Sequence, residues 1–176
     1  MEDLINRAQK GNKEAFTQLI ISVEQDLYRI ARMRFSCEDD IEDAVQETII
    51  QTYKSIKKIK NPEYFKTWII KVLINKCNKL YKKKQRNLEY IEDISIDYYS
   101  YDNNDVLASN LDFYTLIKDL NYKERISLIL YYAEGFTTKQ ISKILKEPES
   151  TIRNRLSRSK IKIKNNYDKG ENYEKY

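Results

Sequence analysis

Apolar residues along most of the chain recur every three or four positions, the period of an amphipathic helix. Leu19, Ile20, Val23, Leu27, Ile30 and Ala31 share one face of a helix expected over Glu14 to Arg34. A second helix opens near Asp39 and Asp40, with Ile41, Ala44, Val45, Thr48, Ile49 and Thr52 turned inward. Asn61-Pro62 is a stop and a turn, because the residue before proline is pushed out of the helical region. A third helix follows from about Glu63 to Arg86, with Trp68, Ile69, Val72, Leu73, Cys77 and Leu80 on its apolar side. From residue 87 to about 108 the period disappears, and NLEYIEDISIDYYSYDNNDVLA reads as a flexible linker. The helical period then returns. Leu111, Tyr114, Leu116, Ile117 and Leu120 precede Asn121, which suits a helix cap, and the next apolar run ends at Gly135. Thr138 to Leu145 and Ser150 to Ile163 form two short helices around Lys146-Glu147-Pro148-Glu149. The expected architecture is all-α: helical domains over 1–86 and 109–167, an acidic linker over 87–108 and a disordered tail over 168–176.

Composition narrows the class further. A chain of 176 residues at the average glycine share would hold about 12 glycines, yet this one has 3, with 2 prolines. Sandwiches and barrels need more tight turns than that. Histidine is absent. That excludes Ser-His-Asp and Cys-His catalysis, every zinc site with a histidine ligand and the usual general base near neutral pH. Cys37 and Cys77 are far apart in sequence, form no CxxC pair and suggest a reduced compartment. The N-terminal MEDLINRAQKGN has no signal-peptide core, and no stretch approaches the roughly 18 apolar residues of a membrane span. A cytoplasmic, non-enzymatic protein is expected, with no catalytic residues, metal, cofactor or small-molecule substrate.

Charge is segregated along the chain. Residues 1–50 carry a net −5, 51–86 a net +11, 87–112 a net −7 and 113–176 a net +6. Ser150 to Lys164 alone holds 6 basic residues and no acid. One lysine-rich run is ordinarily a solvated face, but two on helices point to a polyanion with two footholds.

Three segments carry the chemistry. TTKQISKILKEPESTIRNRLSRSKIK, residues 137–162, has the layout of a helix-turn-helix. Ile141, Leu145, Ile152 and Leu156 are expected to face inward. Ser150 or Thr151 would cap the second helix. Thr151, Arg153, Asn154, Ser157 and Arg158 then point outward, where arginine can pair with guanine and asparagine with adenine. Around the turn that opens the 61–86 segment stand Tyr53, Tyr64, Phe65 and Trp68, and Lys66, Lys71, Lys76 and Lys79 follow it. Rings among cations suit unpaired bases, whose faces stack while their phosphates meet lysine; Phe65 and Trp68 fit a core role equally well. DDIEDAVQETIIQTY, residues 39–53, places acids on the outer face of an amphipathic helix. Acids there favour the helix dipole, and as a binding face they suit a basic protein rather than DNA.

In this order the segments resemble an extracytoplasmic-function sigma factor of the sigma-70 family, a bacterial transcription initiation factor. DIEDAVQETIIQTYKSI resembles the region 2 helix that docks on core RNA polymerase, and FKTWIIKVLINKCNKLYKKKQR the adjoining helix that opens and reads the −10 element. LDFYTLIKDLNYKERISLILYYAEGFTTKQISKILKEPESTIRNRLSRSKIKIK resembles region 4, which reads the −35 element. The resemblance implies polymerase contacts by Asp40, Glu42, Asp43, Gln46 and Glu47. It implies −10 contacts by Asn61, Tyr64, Phe65, Lys66, Lys71, Asn75 and Lys79, with Trp68 supporting the turn. Ser150, Thr151, Arg153, Asn154, Arg155, Ser157 and Arg158 would serve the −35 duplex. Core RNA polymerase, promoter DNA and a membrane-linked anti-sigma factor are the implied partners, with the acidic linker threading the polymerase channels. The helix-turn-helix turn departs from the family pattern: Lys146 and Glu147 stand where glycine and an apolar residue are usual. A free-standing operator-binding regulator would account for 137–162 but leaves 39–86 without a task. A helical adaptor for acidic proteins would show no preference among nucleic-acid sequences.

Overall fold

The computed structural model describes residues 1–88 and 116–171, with side chains over 1–86 and 116–165. The chain divides into two compact units, and the division falls between the two described stretches. No strand occurs among the described residues, as the helical periodicity requires.

The first unit contains α1 (Glu2–Gln9), α2 (Lys13–Arg32), α3 (Glu38–Ser55) and α4 (Phe65–Leu88). Gly11, at φ +93°, turns the chain out of α1. Asn12 then caps α2 by accepting the Ala15 N–H at 2.8 Å. The α2 stripe is buried as its spacing predicts, with Leu19, Val23, Leu27, Ile30 and Ala31 almost fully enclosed. On α3, Thr48 and Thr52 are buried without cost to hydrogen bonding, because their hydroxyls donate to the Ala44 and Thr48 carbonyls at 2.8 Å. The inner face of α4 is rotated from the expected one. Phe65, Ile69, Ile70, Leu73, Ile74 and Cys77 are buried, whereas Trp68 and Val72 are half-exposed. Two 3-10 turns, Ile56–Lys58 and Pro62–Tyr64, link α3 to α4. Gln9 of α1 holds this link by donating from Nε2 to the Ile56 and Ile59 carbonyls at 3.0 and 2.7 Å.

The second unit contains α5 (Tyr122–Leu128), a π-helical turn (Ile129–Ala133), α6 (Thr138–Leu145) and α7 (Glu149–Glu171). Asn121 is the cap that its position suggests. Its side chain accepts the Glu124 N–H, and Glu124 returns a bond to the Asn121 N–H. Thr137 and Gln140 form the same reciprocal pair before α6. Ile141, Ile144, Ile152 and Leu156 pack between α6 and α7; Ile144, rather than the half-buried Leu145, fills the fourth place.

Three expected boundaries are corrected. Helix α7 begins at Glu149, so Ser150 and Thr151 lie inside its first turn and do not precede it as caps. The same helix continues through Glu171, into the tail expected to be disordered. Its apolar stripe ends near Ile163, but the backbone ladder needs no stripe, and Gly170 alone weakens a helix by only about 1 kcal/mol. Helix α4 likewise runs to Leu88, past the expected start of the linker. The rest of that linker, together with Leu111 and Tyr114, lies outside the described residues.

Lys146 adopts the left-handed conformation, φ 57° and ψ 42°. The Glu147 N–H donates to the Ser142 carbonyl at 3.1 Å, closing the six-to-one bond of a Schellman turn. A side chain there costs about 1 kcal/mol or more. Lys146→Gly is therefore expected to stabilise the second unit by about 1 kcal/mol, measured as a raised denaturation midpoint by circular dichroism; an unchanged or lowered midpoint would refute the strain.

Candidate nucleic-acid interface

The helix-turn-helix presents one continuous polar face. Ser150, Thr151, Arg153, Asn154, Ser157 and Arg158 are all exposed, and their spacing on α7 places them on one side. Arg155 does not belong to this face. Its side chain is only 12% exposed, and the guanidinium donates to Ser127 Oγ at 3.1 Å and pairs with Glu147. Lys123 reaches the same carboxylate at 3.2 Å. Burial opposes ionisation of Glu147, but the bonds from Arg155 and Lys123 outweigh it and hold its carboxyl below the usual range. Glu147 thus anchors the turn through ion pairs. Further along α7, Lys162 donates to the buried Glu124 at 2.6 Å, and Lys160 lies over the Tyr132 ring at 5.4 Å. Of the six basic residues between 150 and 164, several therefore serve the unit's own packing.

In the first unit, the link between α3 and α4 walls an open cavity of about 500 Å³, within the size range of ligand sites. Asn61, Tyr64 and Trp68 line it together with Gln51, Lys58 and Lys60. Tyr64 is 52% exposed, and its hydroxyl pKa is raised by the hydrogen bond and charge of Glu63. Asn75 and Lys79 are exposed along α4, and Lys71 is half-buried. Phe65 is fully buried and cannot meet a ligand; it packs against Trp68 with ring centroids 6.4 Å apart. Lys66 is held by Asp26 at 2.8 Å.

On α3, Glu42, Asp43, Gln46 and Glu47 are exposed on one face. Glu47 accepts from Lys76 of α4 at 2.8 Å, and that bond holds its carboxyl below the usual range. Asp40 is different. It is 8% exposed and bound by Lys84 at 2.5 Å, so its carboxylate ties α3 to α4 and does not share the outer face. Cys77 is buried, which pushes its thiol up to about 12 and leaves it inert.

Sequence reasoning missed two positioning residues, Gln9 and Asp26. Each is a polar residue with a partner far along the chain, Ile56 and Ile59 for Gln9 and Lys66 for Asp26, so no local spacing reveals it.

Residues 19–87 match the family description "Sigma-70 region 2" and residues 110–163 match "Sigma-70, region 4". The chain belongs to the sigma-70 family. It is 27% identical over 153 residues to the RNA polymerase sigma factor SigV of Bacillus subtilis, which covers 87% of this chain and 91% of that relative. It is also 27% identical over 175 residues to the ECF RNA polymerase sigma-E factor of Haemophilus influenzae, covering 92% of each. These relatives place it in the extracytoplasmic-function group. The sigma factor directs promoter-specific transcription with RNA polymerase, and its family comprises initiation factors rather than enzymes. Two solved structures share its fold at a TM-score of 0.67. One is CnrH in complex with the cytosolic domain of CnrY, 20% identical and covering 95% of this chain and 96% of that one. The other is RpoE in complex with the anti-sigma factor NepR from Bartonella quintana, 24% identical and covering 85% and 94%. Among the described residues, no helix is long and apolar enough to cross a membrane.

Proposed function

We propose a division of labour among three faces of this sigma factor. The outer acids of α3, Glu42, Asp43 and Glu47 with Gln46, dock on a basic surface of core polymerase. The cavity beside Asn61, Tyr64 and Trp68 accepts an unpaired base of the −10 non-template strand, while Lys71, Asn75 and Lys79 follow the backbone. The α7 face reads −35 duplex through Arg153, Asn154 and Arg158, with Ser150, Thr151 and Ser157 beside them. The protein works in the cytoplasm, and a membrane-linked anti-sigma factor restrains it.

The observation that carries this reading is the first unit's arrangement of an aromatic and amide-lined cavity, bordered by lysines, beside an exposed acidic helix. Unpaired bases stack on rings whatever their identity, and the lysines meet phosphate. Neither DNA contact need be strong alone, since polymerase fixes both at short range and the second forms at high effective concentration.

Tyr64→Ala is expected to weaken capture of a −10 single strand by holoenzyme by about 1–3 kcal/mol, the range for one base–aromatic contact. Fluorescence anisotropy of a labelled non-template oligonucleotide measures this directly, and unchanged affinity would remove Tyr64 from the site. Two neighbouring arginines on α7 give a second test. Arg153→Ala should cost about 1–3 kcal/mol on promoters with the preferred −35 sequence and little on others. Arg155→Ala should instead lower the stability of the second unit by about 1–3 kcal/mol, because Glu147 loses its main partner. Equal loss on every −35 sequence for Arg153→Ala would refute base reading there.

A further inference from the structure

Glu149 opens α7 on the same end of the helix as the proposed −35 face, although an acid there is unfavourable for a surface that approaches phosphates. Its Oε1 accepts two hydrogen bonds. Thr138 Oγ1, from the first residue of α6, donates at 2.6 Å, and Arg153 Nη2, one turn further along α7, donates at 2.7 Å. The Thr138 bond fixes the Glu149 rotamer from the neighbouring helix, and Glu149 in turn fixes the guanidinium of Arg153. The arginine side chain is 67% exposed and the glutamate 33%, so this pair adds little to stability. The same two bonds keep the Glu149 carboxyl below its usual range and therefore charged.

We propose that Glu149 is a positioning residue that sets −35 specificity by holding the Arg153 guanidinium in its reading orientation. The proposal rests on the assignment of Arg153 as a base reader. Guanidinium carries five N–H donors in a rigid fork, so one bond to Glu149 leaves enough of them for a bidentate contact with guanine. An arginine already ordered loses less freedom on binding its base. At the same time the carboxylate repels phosphate, which lowers affinity for every duplex alike. Only the first effect widens the gap between the preferred sequence and all others; the repulsion lowers both affinities and leaves their ratio unchanged.

The test uses holoenzyme, assembled from core polymerase and the full chain, on a mapped promoter and on a version with the Arg153-contacted base pair replaced. Competitive filter binding measures the ratio of the two affinities and its salt dependence. Glu149→Ala is expected to reduce that ratio about fivefold, while binding to the altered promoter is retained or strengthened. Glu149→Gln keeps the two accepting bonds without the charge, so it should preserve most of the ratio and strengthen binding to both promoters. Thr138→Val removes only the outer bond and should fall between wild type and Glu149→Ala.

A ratio unchanged in Glu149→Ala but lost in Arg153→Ala would overturn the positioning role. So would an equal fall on both promoters, which is the signature of a damaged helix-turn-helix. Discrimination that survives Arg153→Ala would overturn the base-reading assignment itself, and this proposal with it.

Discussion

Phe65→Ala is expected to destabilise the first unit by about 3–5 kcal/mol, the range for removing a buried phenylalanine. Phe65 is the first residue of α4 and is fully enclosed. Its removal empties the space beneath Trp68, which lines the cavity proposed for the −10 base. A loss of this size is a large part of the total stability of about 5–15 kcal/mol typical of a domain. The chain has two units, so a single global transition would mix them. Trp68 is the one tryptophan in the sequence, and its fluorescence reports the first unit selectively. In a urea titration the tryptophan transition should move to much lower denaturant in Phe65→Ala, and Phe65→Leu should restore most of the difference. A shift worth less than about 1 kcal/mol would mean that the site collapses around the deletion and that Phe65 does not anchor the turn.

The second large effect concerns docking rather than folding. Asp43 is exposed on the outer face of α3. If that face meets a basic surface, Asp43→Lys places like charges together, at a cost of several kcal/mol in binding. Circular dichroism and the Trp68 transition should be unchanged, while affinity for core polymerase falls sharply. Asp40→Asn provides the contrast. Asp40 is buried beneath Lys84, so its loss should appear as about 1–3 kcal/mol of lost stability, with a smaller effect on docking. If Asp43→Lys binds core polymerase as well as the wild type, the acidic face is not the docking surface.

The contrast between Asp40 and Asp43 shows where sequence reading reaches its limit. Periodicity located all the long helices of the first unit, because burial of one stripe is a local property that repeats every few residues. It also placed the end of α6 at Leu145 and the start of α7 within one residue, while the resemblance, not the period, drew attention to Lys146. What periodicity cannot settle is the few tens of degrees of rotation that decide boundary positions. Trp68 and Val72 shared the expected inner face of α4 with Ile69 and Leu73, yet the helix is turned so that Ile70 and Ile74 go inward. Trp68 is thereby left to line a cavity. Asp40 and Arg155 failed for a different reason. Both are charged residues in segments rich in charge of their own sign, and composition alone places them at the interface. Each is instead drawn inward by an opposite charge outside its own helix, Lys84 on α4 for Asp40 and Glu147 in the turn before α7 for Arg155. The burial of Glu147 in the turn and the inward turn of Arg155 are thus one feature, a single ion pair.

The family likeness and the geometry converge on promoter selection by this chain, and one measurement tests that most directly. The purified protein is added to sigma-free bacterial core polymerase with fragmented linear genomic DNA, and the 5′ ends of the transcripts are sequenced. Discrete start sites that share −10 and −35 sequences and disappear when the sigma factor is left out are the expected result. Transcripts without common upstream sequences, or none from a competent core and a folded protein, would contradict it and favour a regulator that binds an operator without polymerase.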